Sequence, residues 1–230
     1  MNLLQRYKFR SEHLLLVILF VAVVLRFWNF STRVSIGGDS ARDAFVAVHG
    51  ARALQLPLTG QFSSLGQFTW GPWYYYELIA SILVLQTPYA PWFFMSFASV
   101  VVVYLMYLLG RMMVNREVGL IMAALAAVAP SQLSAAKGLN NPNLISLFAT
   151  GSLVVFLSLL KRNKKVDTRN AWILGFLLGL GINHHYQMGG MAVLPMLLFL
   201  RPQALRLIFI SYVAIALTFL PLLFFDLNNH

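Results

Sequence analysis

Asp39 and Asp43 stand four residues apart, with Arg42 between them, in a chain that has only seven acidic residues among 230. Gly37 and Gly38 precede Asp39 and let the backbone come close to a ligand. A carboxylate presented there, beside a cavity at a membrane surface, suits a general base. Ser40 and Asp43 have the spacing of a capping box, with Ser40 heading a helix that runs to Leu54 and Asp43 reaching back to its N-terminus. Asp43 thus carries two readings, a helix cap and a substrate-binding group.

Other polar groups with chemical potential lie further along. Trp70, Trp73, Tyr74, Tyr75 and Tyr76 form an aromatic run that reads as an interfacial belt or as faces on which a sugar stacks. Glu77 sits inside an apolar stretch, where an ionisable group is expected to face a cavity or pair with a cation such as Arg42 or Arg52. Lys137 leads into Asn140, Asn141, Pro142 and Asn143. Asn-Pro ends one helix and begins another, whereas a lone lysine suits a phosphate, which it would hold as a point charge. His184 and His185 read as structural hydrogen-bonding groups or as donors to the same phosphate. They have no carboxylate at ligand spacing, so no cofactor is assigned and a divalent metal has no support.

The elements that must position these groups follow from composition. The chain is 59% apolar and 10% charged, with a mean hydropathy of +0.72, against about 25% charged residues in soluble domains. Continuous apolar runs cover 14–25, 73–87, 92–110, 118–131, 143–160, 171–200 and 207–225. Because they do not alternate, they point to helices and not to a barrel. The expected fold is all-α, a polytopic transmembrane helical bundle with amphipathic helices on the outer face in the first loop. The chain has no cysteine, which excludes disulfides and thiol catalysis.

Charge placement sets the expected orientation. With 73–87 held on the outer side as a membrane-dipping helix, Arg6, Lys8, Arg10, Arg111, Arg116, Lys161, Arg162, Lys164, Lys165, Arg169, Arg201 and Arg206 all fall on the cytoplasmic side. The net charge of +10 then reports cytoplasmic loops of a multi-pass cell-membrane protein with its N-terminus inside, and no nucleic-acid partner is expected. Arg26, Arg33, Arg42, Arg52 and Lys137 remain outside and need another reason. The run 171–200 enters and leaves on the cytoplasmic side, as two short crossings or a re-entrant pair. Its polar break at 181–190 faces the outer half.

The order of the short motifs resembles a family. Gly38-Asp39-Ser40-Ala41-Arg42-Asp43, then Gly71-Pro72-Trp73-Tyr74-Tyr75-Tyr76-Glu77, Leu109-Gly110-Arg111, Ala129-Pro130-Ser131 and finally His184-His185-Tyr186 are similar to the pattern of the GT-C membrane glycosyltransferases. Closest are the family 39 protein mannosyltransferases, the aminoarabinose lipid A transferases and the RgtA/B/C/D-like bacterial group. The resemblance implies that residues 1–230 form a GT-C-like transmembrane module. It also implies a hexosyl- or pentosyltransferase that moves a sugar, with inversion, from a polyprenyl-phosphate donor to a hydroxyl of a glycan, lipid or protein acceptor at the outer face. The first-loop aspartate that acts as base in this pattern matches Asp39. Asp43, Arg52, Trp73, Tyr74, Glu77, Lys137, Asn140, Asn141, His184 and His185 are the candidates for substrate or phosphate binding. Two departures stand out. Asn140 or Asn141 replaces an acidic residue of the second outer loop, and relatives are about twice as long, so the chain reads as an N-terminal module or fragment. The rival expectations are a transporter or flippase built on the break at 181–190, and an inactive truncated scaffold.

Overall fold

The apolar runs 92–110 and 143–160 each become one long helix, whereas 171–200 is broken after His184. A computed structural model describes residues 3–63, 66–161, 167–200 and 204–229. Arg162, Lys164, Lys165 and Arg201 lie outside the described residues, as do the side chains of Arg6, Lys8 and Arg10. Helix α1 covers Leu3–Phe27, followed by a single turn, α2 (Phe30–Arg33), then α3 (Gly38–Ala53) and α4 (Trp73–Leu85). Helices α5 (Ala90–Met113) and α6 (Arg116–Val128) form a hairpin, and the short α7 (Pro130–Ala135) leads to a 3₁₀ turn at Asn141–Leu144 and α8 (Ile145–Lys161). Helix α9 (Thr168–His184), 3₁₀ segments at Tyr186–Val193 and Met196–Leu200, α10 (Ala204–Leu217) and α11 (Leu220–Asn229) complete the fold. The described residues hold no sheet, only isolated bridges at Ser35–Gly138 and Phe62–Thr69, so the chain is all-α.

Helix α5 and the stretch Asn141–Lys161 are each long and apolar enough to cross a membrane. At about 1.5 Å per residue, the 24 residues of α5 exceed the roughly 30 Å of a hydrocarbon core. Helix α4 has only 13 residues, too few to cross at that rise. The last apolar run departs from the expectation of one straight span: α10 and α11 meet at an angle of 48°. The helix breaks where the Thr218 and Phe219 N–H groups bond only three residues back, to the carbonyls of Ile215 and Ala216, and the Trp73 indole N–H donates to the Thr218 carbonyl at 2.7 Å.

The main core gathers Tyr74 and Leu78 of α4, Trp92 and Met95 of α5, Phe148 of α8 and Leu174 and Leu178 of α9. A smaller core joins α1, α5 and α6 around Ala22, Val103, Tyr107 and Ala123. Helices α9 and α10 touch through small residues, because a Cβ on Gly175 would overlap the Ser211 carbonyl and the Ala214 methyl. Gly71 has a similar constraint. Its Cα hydrogen faces the carboxamide of Asn183, which itself donates to the Gly179 carbonyl at 2.8 Å and to the Thr218 hydroxyl at 3.1 Å. Gly71→Ala should therefore destabilise the protein by about 1–3 kcal/mol, as overpacking of a closed contact does. A melting temperature equal to wild type in the same detergent would contradict this packing.

Two of the five basic residues set apart by the charge count are structural. Arg26 of α1 is 2% exposed. Its guanidinium donates to the Ser99 hydroxyl at 2.8 Å and to the carbonyls of Ala127 at 3.0 Å and of Ala126 and Ala22 at 3.2 Å. It thereby satisfies the last carbonyls of α6, which lack helical partners, and sets a positive charge at the negative end of that helix. Arg33 does the same for α1, donating to the Leu25 carbonyl at 3.1 Å.

Candidate active site

Helix α3 presents the two aspartates. Its N-cap is Gly37, in extended backbone and with no side-chain cap, and it ends at Leu54 in the left-handed region, φ 53°. The capping box expected of Ser40 and Asp43 is not formed. The helix starts three residues earlier than that box requires, which places Ser40 and Asp43 inside it. There the Ser40 hydroxyl donates to the Leu139 carbonyl at 3.1 Å, pinning α3 to the segment after α7.

Asp39, in the first turn, is exposed, and Arg42 lies between it and Asp43. One Arg42 Nη1 donates to Asp39 Oδ1 at 3.0 Å, while Nε and Nη2 both reach Asp43 Oδ1, at 3.0 and 2.9 Å. Asp43 is fully buried. It accepts further hydrogen bonds from the Tyr75 hydroxyl at 3.2 Å and from the Gln61 amide. Gln61 is presented by a tight loop in which the backbone of Gln61 and Gly60 pairs with Trp70. Burial pushes the Asp43 carboxyl above its ordinary 3.8, while Arg42 and Tyr75 pull it back. When the folded pKa is the higher one, the folded state holds the extra proton, so stability declines as pH rises from 3.8 through the raised value. Asp43→Asn should flatten that decline in melting curves taken across the acid range. An unchanged slope would place its origin elsewhere.

The Asp39 carboxylate faces a polar cleft of about 600 Å³ between the start of α3 and the segment running from α7 to the 3₁₀ turn. Ser131, Ser134, Gly138, Asn140 and Asn143 line its far wall. That wall is fixed from behind. Asn143 donates to the carbonyls of Ala135 and Gly138 at 3.1 Å, Ser35 N–H to the Lys137 carbonyl at 2.9 Å, and buried Asn141 to the His184 carbonyl at 2.5 Å.

Glu77 finds a partner other than the arginines expected for it. Its carboxyl lies 2.9 Å from His184 Nε2, and His184 Nδ1 meets the Leu180 carbonyl at 2.7 Å, so Nδ1 carries a proton and the Nε2 contact holds a second. Arg42 is already engaged by the aspartates, and Arg52 lies 13 residues from Asp39 on α3, about 20 Å along the axis. His184 is fully buried between Tyr74 and Phe148. A carboxylate thus does stand beside a histidine, 107 residues away in sequence. Among the described residues no group of three or more His, Asp or Glu is gathered that could hold a metal ion.

The remaining candidates are distributed as follows. Asn140 is exposed on the cleft wall, and Lys137 is half-buried next to Gly138 of that wall. Trp73 is occupied with Thr218, and the Tyr74 ring is buried with no hydrogen-bond partner for its hydroxyl among the described residues. His185 stacks on Trp70 at 4.9 Å, beside Tyr186 and Phe68. Sequence reasoning noted Arg42 and Tyr75 but not their roles as the link between the aspartates and as a holder of Asp43, and it passed over Gln61, which carries no local signal.

The polar cleft sits at the end of the bundle where α5 begins, and the turn from α5 to α6 with Arg111 and Arg116 lies at the other. On this helical frame, the family model described as dolichyl-phosphate-mannose-protein mannosyltransferase matches residues 72–225, about two thirds of the chain. The chain belongs to that family. Membership makes it an integral membrane protein and a membrane glycosyltransferase of the GT-C type. The mannosyltransferase-family match begins at Pro72, so α3 and Asp39 precede it. No curated protein and no solved structure matches the chain.

Proposed function

We propose that this protein transfers a sugar, with inversion, from a polyprenyl-phosphate donor to an acceptor hydroxyl at the outer face of the cell membrane, with Asp39 as general base. The observation that carries the reading is the exposed Asp39 carboxylate on the wall of a polar cleft, with one oxygen tied to Arg42. Oδ1 is engaged by that arginine, which leaves Oδ2 to accept the proton of an acceptor hydroxyl. As the proton moves to Oδ2, the acceptor oxygen bonds to the anomeric carbon from the face opposite the phosphate, and the bond from that carbon to the phosphate oxygen breaks. The leaving polyprenyl phosphate keeps the electron pair. It needs no general acid, only cationic or hydrogen-bonding stabilisation as its charge develops. We assign that role to Asn140, on the cleft wall, and to Lys137, next to Gly138 of that wall; Asn141 and His184 act by holding the segment in position.

Orientation is part of the proposal. Arg111, Arg116 and Lys161 lie at the end away from the cleft, and the Lys161 ammonium donates to the Met112 carbonyl there. By the positive-inside rule that end faces the cytoplasm and the cleft faces outward.

The family's description makes a prenyl-phosphate mannose the first donor to supply. Purified protein in liposomes, given that donor with an isotopic label, should yield a glycosylated acceptor whose anomeric configuration, read by NMR, is opposite to the donor's. A product of retained configuration would overturn the single-displacement mechanism.

A further inference from the structure

Arg52 is left over by this mechanism. It was singled out with the other outward cations, yet it projects from the last turn of α3, about 20 Å along the helix from Asp39. It is exposed, and none of the described residues bonds or ion-pairs with it. Beside it, a groove of about 350 Å³ opens between the C-terminal parts of α3 and α4. Val48, Ala51, Ile82, Leu83 and Pro88 give that groove an apolar lining, and Arg52, Gln86 and Thr87 stand as its polar groups.

The surroundings are apolar as well. Leu54, Leu56, Val84 and Leu85 are exposed around the same tip, a patch of the kind that marks a membrane contact. The two helices run side by side, since Asp43 meets Tyr75 near their starts and Gly50 packs on Ile79 further along. Their shared tip therefore offers an apolar trough with a cation and two hydrogen-bonding side chains. Arginine matches a phosphate diester better than lysine does, through its planar fork of donors.

We infer that this groove binds an anionic phospholipid, with the phosphodiester on Arg52 and an acyl chain along Val48, Ala51, Ile82 and Leu83. The site is separate from the cleft at Asp39 and stands whether or not the transferase reading does. Its occupant is a resident membrane lipid, selected by charge at the head and by apolar contact along the chain.

The test uses purified full-length protein in nanodiscs that hold equal amounts of phosphatidylglycerol and phosphatidylcholine with identical acyl chains. Native mass spectrometry after release counts the retained lipids of each kind. Wild type should retain phosphatidylglycerol in preference, and Arg52→Gln should cut that preference about fivefold, the effect of one cation near a membrane surface. Arg52→Glu should abolish it, while retained phosphatidylcholine stays unchanged. Equal preference in wild type and both variants would overturn the inference. A photoactivatable phosphatidylglycerol gives a second reading on the unmodified chain. Crosslinks should fall on peptides of α3 and α4, and labelling confined to other helices would overturn the assignment.

Discussion

Asp39→Asn should lower the rate of sugar transfer by about 10²–10⁴-fold, the usual contribution of a positioned general base. The amide has the shape of the carboxyl, and its oxygen can still accept from Arg42, but it cannot take the acceptor's proton. Because Asp39 is exposed in the first turn of α3, the substitution should change stability by no more than about 0.5 kcal/mol. Membrane insertion and melting temperature are then the controls, and turnover of a labelled prenyl-phosphate sugar is the readout. A variant that folds and turns over at the wild-type rate would remove Asp39 from the chemistry. Arg42→Gln separates positioning from proton transfer. It frees the Asp39 side chain without removing its basicity, so it should reduce kcat by less than Asp39→Asn does, and it should disturb the buried Asp43 as well.

Arg26→Met should be among the most destabilising single changes outside the site, costing about 3 kcal/mol or more. Methionine fills much of the volume but donates nothing. The carbonyls of Ala126 and Ala127 and the Ser99 hydroxyl lose a charged donor in a buried setting, where hydrogen bonds to charged groups contribute about 1.5–3 kcal/mol and an orphaned acceptor costs about 1–3 kcal/mol. Arg26→Lys should recover only part of the loss, because one compact ammonium with three N–H groups cannot reach four acceptors spread over α1, α5 and α6 in the way a planar guanidinium does. Thermal unfolding of the detergent-solubilised protein measures both variants. Equal melting temperatures for wild type and Arg26→Met would mean that the clamp contributes nothing to stability.

The contrast between Arg26 and Asp39 shows where legibility stopped. Both are charges in unexpected places, and charge counting marked both. For Asp39, neighbouring glycines and the order of motifs suggested a role from residues close in sequence. For Arg26, the explanation lies in carbonyls 100 and 101 residues away, which leave no trace near it in the chain. Glu77 is similar: a cation was expected, and the sequence offered arginines, but a helix away lay His184. The capping reading of Asp43 failed for a subtler reason. A capping box is a statement about where a helix begins, and α3 begins three residues earlier than its sequence pattern suggests, at Gly38.

Hydropathy and helical run length by themselves determined that this protein is an all-α membrane bundle, and where its two longest spanning stretches, in α5 and α8, lie. These are local properties, summed over stretches of fifteen to twenty-five residues, and they survive without knowledge of any contact. Only the tertiary structure decided that Arg42 bridges the two aspartates while Gln61 and Tyr75 hold the buried one, that Asn141 and His184 brace the opposite wall of the cleft, and that the last span bends at Thr218 where Trp73 takes its carbonyl. A buried polar group must find a partner. Which partner it finds depends on how the helices pack, and the local pattern does not encode that.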